Sequence, residues 1–228
     1  MKKNLQLEFD EILKNLINPF FLKHGFKKKG NNFNKKINTL IQVINIQKSR
    51  WNQEDNVSFT INIGFFDIEI YLENSNQIPK FIHDYDCQIS FRIGSVVHGN
   101  DYWYELTQKT KKEDLEIEIR NNLTNSLIPI FEKVIDLNHL KDFILKNEVV
   151  QITTTAIYKI KIFIKTNEFN KAEELLQFEY HRTLNPKDYV SKTILPDGTE
   201  IIKTSKSAIN TKYIEILKKI AETNGVVL

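Results

Sequence analysis

Over residues 3–24, Leu5, Phe9, Ile12, Leu13, Leu16, Ile17 and Phe20 recur at three- and four-residue spacing. That spacing puts them on one stripe and predicts an amphipathic helix. Pro19 lacks a backbone donor and predicts a kink or restart. Lys23 and His24, then Gly25, read as its stop: cations on the last turn, then a residue tolerant of left-handed φ. From there the period becomes two. Residues 26–29 and 32–37 read as short strands around a Gly30-Asn31 turn, and Asn38-Thr39 as the next turn. A long strand over 40–49 and a polar loop over 50–56 lead into 57–65, where Val57, Phe59, Ile61, Ile63 and Phe65 alternate with Ser58, Thr60, Asn62 and Gly64. Residues 87–94 alternate again, Cys87, Ile89, Phe91 and Ile93 against Gln88, Ser90 and Arg92. Residues 66–85 have no dominant period.

Helical spacing returns over 111–135, with Leu115, Ile119, Leu123, Leu127, Ile130 and Val134 on one stripe and Pro129 as a bend. A shorter helix follows over 138–146. Residues 150–180 read as a helical hairpin turning near Asn167. Its pattern resembles one tetratricopeptide unit, but a solenoid needs about three copies and one is visible. Residues 190–195 and 199–203 flank a Pro196-Asp197-Gly198 turn. A final helix over 207–223 ends at Asn224-Gly225. The fold class is α+β: an antiparallel sheet flanked by the N-terminal helix and the 111–146 helices, with a mostly helical C-terminal appendage. The predicted division is an α+β domain over 1–148 and, over 149–228, a helical hairpin, a small β-hairpin and a terminal helix packed on it.

The single cysteine, Cys87, excludes an intramolecular disulfide and suits a reducing compartment. No apolar run approaches the roughly 18 residues of a membrane helix. Glu8, Asp10 and Glu11 interrupt the place where a signal peptide would be apolar. The expected location is the cytoplasm, with no membrane partner. Only four of 32 basic residues are Arg, and the chain is rich in Asn and Ile, as an AT-rich genome would encode. The Lys excess is therefore a weak pointer to nucleic acid, for which Arg is the better base and phosphate reader. Net charge is +8 over residues 1–50, −8 over 51–150 and +3 over 151–228.

If the strands at 40–49, 57–65 and 87–93 are neighbours, Asn45, Gln47, Ser58, Thr60, Asn62, Gln88, Ser90 and Arg92 line one face. Short neutral donors and acceptors with one cation suit a small polar ligand or a partner's backbone; an ordinary solvated sheet face has the same pattern. Lys48, Arg50 and Trp51 add a cation-plus-aromatic corner. His83, Asp84, Asp86, His98 and Asp101 are metal-ligand types, but the strand between the two groups would hold its ends roughly 23 Å apart unless the flanking loops fold back. No cofactor or metal is expected. Cys87 sits beside Asp86, which raises a thiol pKa, and reads as a core thiol. No nucleophile or phosphate-loop motif is present. Lys27, Lys28, Lys29, Lys35 and Lys36 could contact phosphates or protect a sheet edge.

Several phrases then combine: GFKKKGN from Gly25 to Asn31, Phe33, Gln47-Lys48-Ser49, FTINIG from Phe59 to Gly64, Arg92-Ile93-Gly94 and Asp101-Tyr102-Trp103. Over about residues 5–145 the chain resembles a bacterial family labelled domain of unknown function 4304. The resemblance implies an α+β domain and supplies no catalytic residue. The expected function is a binding or interaction protein with an unidentified protein partner, an immunity-type inhibitor being one form. The alternatives are an enzyme acting on a small anionic substrate held by Arg92, with Lys48 or Asp101 near the chemistry, and a nucleic-acid binder using residues 27–50. The candidate binding residues are Asn45, Gln47, Lys48, Arg50, Trp51, Asn62, Arg92 and Trp103.

Overall fold

The computed structural model describes residues 2–147, 152–186 and 188–228. The chain divides into two compact units, residues 1–158 and 159–228; the boundary expected at 148–149 lies outside the described residues.

In the first unit, α1 (Leu5–Ile12), a π-helical turn (Leu13–Ile17) and α2 (Asn18–Lys23) run on without a break. Asn18 N–H donates to Leu13 O, five residues back, just ahead of Pro19. Proline has no N–H to give residue 15 and would crowd its carbonyl, so the helix widens by one residue. The stripe shifts accordingly: Phe21 is buried where the spacing had picked Phe20. The helix ends in a Schellman motif, with Gly25 at φ +83° donating to Leu22 O, Phe26 N–H reaching Phe21 O, and the Phe21 and Phe26 rings in contact at 5.6 Å.

The sheet follows as β1 (Lys27–Lys29), β2 (Asn32–Ile37), β3 (Leu40–Lys48) and β4 (Asn56–Asp67), each antiparallel to the last. After β4 come α3 (Ile68–Leu72), a 3₁₀ turn (Asp84–Asp86), β5 (Ile89–Arg92), α4 (Ile93–Val97) and β6 (Tyr104–Thr107). Both β5 and β6 pair with the same edge of β4, β5 along residues 62–65 and β6 along 56–59. The chain must therefore leave the sheet after Arg92. This shortens the strand expected over 87–94 and turns Ile93 and Gly94 into the start of α4.

Next come α5 (Lys112–Asn122), a second π-helical turn (Leu123–Leu127), α6 (Ile128–Lys133) and α7 (Leu137–Lys146). The second turn repeats the first. Ile128 N–H reaches Leu123 O ahead of Pro129, and Phe131 is buried where Ile130 was expected. Both helical runs cover one sheet face, through Phe9 on Phe59, Phe131 on Phe65 and Phe143 on Phe91. Gln42 lies fully buried in this core, its amide nitrogen donating to the carbonyls of Phe131 (2.6 Å) and Val134 (3.1 Å).

Asp136 caps α7, accepting from the His139 backbone and ring at 2.9 and 2.7 Å. Burial alone would raise its carboxyl, but these hydrogen bonds hold it below the ordinary 3.8. A depressed pKa gives stability that is complete above the unfolded value and lost as pH falls through the folded one. Asp136→Ala should cost about 1 kcal/mol near neutrality. The gap from wild type should narrow in thermal melts as pH falls below the ordinary 3.8 and through the depressed folded value; a gap that stays constant on acidification contradicts this account.

In the second unit, α8 (Ala156–Lys165), which begins in the first unit, and α9 (Phe169–Leu184) turn at Asn167, φ +59°. Then come β7 (Asp188–Ile194), β8 (Glu200–Lys206) and α10 (Thr211–Asn224), the last ended by Gly225 at φ +68°. Glu179, buried in α9, accepts from Arg182 at 2.6 Å and from the Tyr213 phenol of α10 at 3.0 Å. Burial, then the Glu179 charge, pushes that phenol up to about 12.

Candidate functional site

The sheet's second face is divided. Around Ile41, Val43 and Phe66 it is covered by Ile82, with Ile68, Tyr71 and Cys87 packed alongside. Asn34 fixes this cover by a two-point bond to the backbone of Ile82. Gly64 is required here, because a Cβ would lie 2.4 Å from Cys87 Sγ. Burial pushes the Cys87 thiol well up, and Asp84 and Asp86 add to the shift.

Further along, the face opens. Register places Asn32, Asn45, Asn62 and Arg92 in one row across β2 to β5. The amides are linked side to side, Asn45 Nδ2 donating to Asn32 Oδ1 at 2.9 Å and Asn62 Nδ2 to Asn45 Oδ1 at 3.2 Å. The Asn62 amide also reaches Gln47 Oε1 at 2.9 Å and Asp84 Oδ2 at 3.0 Å, so its two hydrogens are shared. The row ends at a cleft of about 340 Å³ beside the split between β5 and β6. Gln47, Asn62, Asp84, Ser90, Ser95 and Thr153 line it, with Phe91, Arg92 and Asp101. Thr153 is placed by a pair of backbone bonds to Ser90.

Arg92 Nη1 donates to Asp101 Oδ2 at 2.6 Å and the guanidinium sits 5.1 Å from the Trp103 ring centre. Trp103 Nε1 reaches the same carboxylate oxygen at 3.4 Å. The 101–103 segment is held by Thr60 Oγ1, which donates to Tyr102 O at 3.0 Å, and by the Tyr102 phenol, which donates to Glu118 at 2.7 Å. Burial, then the bond to Glu118, drives that phenol well above its usual range. Asp101 also borders a second cleft, of about 600 Å³, with Glu105, Lys111, Asp114 and Glu118.

Of the expected residues, Gln47, Asn62 and Arg92 line the cleft. Asn45 supports it through Asn62, and Trp103 through Arg92 and Asp101. Lys48 belongs to the other face: as the partner of Phe59 it lies 4.7 Å from the Phe9 ring centre and 3.8 Å from Asp10. Arg50 and Trp51 sit in the β3–β4 loop, Trp51 being 86% exposed. Gln88 does not line the polar face; it is buried, exchanging 2.8 and 3.1 Å bonds with the Asp67 backbone in place of a strand partner. Thr60 is buried, and Ser58 is bonded to Asn52.

The loops around β5 do fold back, bringing Asp84 and Asp101 to one cleft. The histidines are used elsewhere, His83 stacking on Tyr85 and His98 packing at a tilt against Tyr102. Among the described residues no group of three or more His, Cys, Asp or Glu side chains could hold a metal ion. No helix among them is long and apolar enough to cross a membrane. Lys27, Lys28 and Lys29 are exposed on the edge strand β1.

Helices on one face of an antiparallel sheet, and a polar cleft on the other where a strand edge is shared, define an α+β domain with a split-edge sheet. The chain belongs to the family described as Domain of unknown function (DUF4304), whose model matches residues 17–133, or 117 of 228. That span holds β1 to β6 and every described cleft residue except Thr153. No curated protein and no solved structure matches the chain.

Proposed function

We propose that the chain is a binding protein of the bacterial cytoplasm that uses the cleft beside β5 to hold a cationic or neutral polar group presented by a protein partner. The carrying observation is the state of the one cation among the described residues that line the cleft: Arg92 is already bonded to Asp101 at 2.6 Å. With Asp84, the described lining is left with one negative charge in excess. An anionic substrate would have to break that pair and meet Asp84. A lysine or arginine side chain would instead meet carboxylate, amide and hydroxyl acceptors in place. A volume near the lower end of the roughly 300–1,000 Å³ typical of ligand pockets suits one side chain. The second cleft adds carboxylates on the same side of charge, which would speed encounter with a basic partner. An immunity-type inhibitor seated on a basic toxin surface is one form of this reading.

The test is capture of a partner on immobilised protein, compared with Asp101→Lys. That variant releases Arg92 and reverses the charge, and should lower affinity by at least about 30-fold, the cost of breaking a hydrogen-bonded charge pair at an interface. A partner held equally by both proteins, or repeated failure to find any partner, would sink the proposal.

A further inference from the structure

The hairpin of β7 and β8 pairs with no other described strand, and all fourteen of its strand residues are exposed. An isolated two-stranded hairpin is marginal in water, and a free edge invites another strand. Val190, Ile194 and Ile202 are 66%, 64% and 63% exposed and share one face, since Val190 and Ile194 alternate along β7 and Lys192 lies opposite Ile202. The same face also carries Asp188, Lys192, Glu200 and Lys206, and the outer edge of β7 pairs with no described strand.

We propose that it is completed by a second copy of this chain, β7 pairing antiparallel with β7 about a two-fold axis at Val190. Three observations select this occupant and register. First, residues 188–206 carry Asp188, Asp197 and Glu200 against Lys192, Lys203 and Lys206, so the hairpin is charge-balanced and two copies do not repel. Second, Leu195 N–H donates to Thr199 O, which places the odd-numbered residues of β7 in the bonded pairs with β8. The N–H and C=O groups of Asp188, Val190 and Lys192 are therefore those on the outer edge. Third, a two-fold at Val190 sets Val190 against its own copy and Asp188 against Lys192 of the other chain, twice. Each charge already pairs within its hairpin, Asp188 with Lys206 and Lys192 with Glu200, so the dimer extends both pairs into alternating rows. The β8 edge is less suited: the register that sets Glu200 against Lys206 also sets Lys203 against itself, which is unfavourable.

The experiment is sedimentation velocity of the full chain over a micromolar concentration series. Wild type should show a monomer–dimer equilibrium, and Val190→Pro, which removes an outer-edge donor, should stay monomeric. Asp188→Lys and Lys192→Asp should each weaken the dimer by at least about tenfold, from two exchanged pairs per dimer. The double reversal should restore it. Because the double variant regains neither pair within the hairpin, rescue reports contact between copies. A wild type that is monomeric throughout, a Val190→Pro chain that dimerises like wild type, or a double reversal no tighter than the singles would each overturn the proposal.

Discussion

Replacing Gly94 by alanine should destabilise the first unit by about 1–3 kcal/mol, as overpacking does elsewhere, and should also dismantle the cleft. A Cβ at this position would stand 2.5 Å from Tyr102 N, 2.6 Å from Tyr102 Cβ and 2.7 Å from Asn100 O. Two of these are backbone atoms, so no rotamer change relieves the clash and the 100–103 segment must move. That segment carries Asp101 and Trp103, the two groups that hold Arg92. Denaturant melts would read the stability. Trp103 emission in a Trp51→Phe background would read the movement, because Trp51 is exposed and would otherwise add its signal. An unchanged midpoint with unchanged emission would contradict the close approach.

Gln42→Ala should cost about 2–4 kcal/mol, combining a cavity with two unpaired carbonyls. The buried amide serves as a cap delivered from the sheet, satisfying Phe131 O and Val134 O at the end of α6. Its own Oε1 has no partner among the described residues, so the site already tolerates one orphan, and the benefit comes from the donor side. Gln42→Met separates the two costs. It refills most of the volume but leaves the carbonyls bare, and should lose about 1–3 kcal/mol. At roughly 2–4 °C per kcal/mol for a domain this size, thermal melts resolve wild type, Met and Ala in that order. If Met matched wild type, the carbonyls would not be relying on Gln42.

The strands were legible because their period and turns agreed. The two-residue Asn38-Thr39 turn sets Ile37 against Leu40 and, counted back, Asn32 against Asn45. The first link of the amide row is thus readable from the length of that turn. Parity along β3 also separates Lys48 from Gln47, so a candidate site on one face that includes both runs against a signal in the strand itself. Asp84 was not recoverable: it lies in the aperiodic stretch 66–85, and its approach to Asn62 depends on the path of a loop. The cleft itself arises because β4 gives one edge to two strands, a fact carried by pairing between distant segments. Gln88 misled because its alternation matched a strand, whereas its side chain does the work of strand backbone. Periodicity and turns carried the α+β class, the resemblance agreed with it, and neither located the cleft.

The two π-helical turns have a consequence for how length varies in this fold. Each places its proline two positions ahead of the phenylalanine that docks on the sheet, Pro19 before Phe21 and Pro129 before Phe131. Each helical run therefore holds one residue more than an uninterrupted helix needs to present the same ring. The proline works as a frame marker: it absorbs a single-residue insertion and restores the phase of everything downstream. A shorter relative that lacks both the extra residue and the proline would keep the docking ring in phase with the sheet across a one-residue gap.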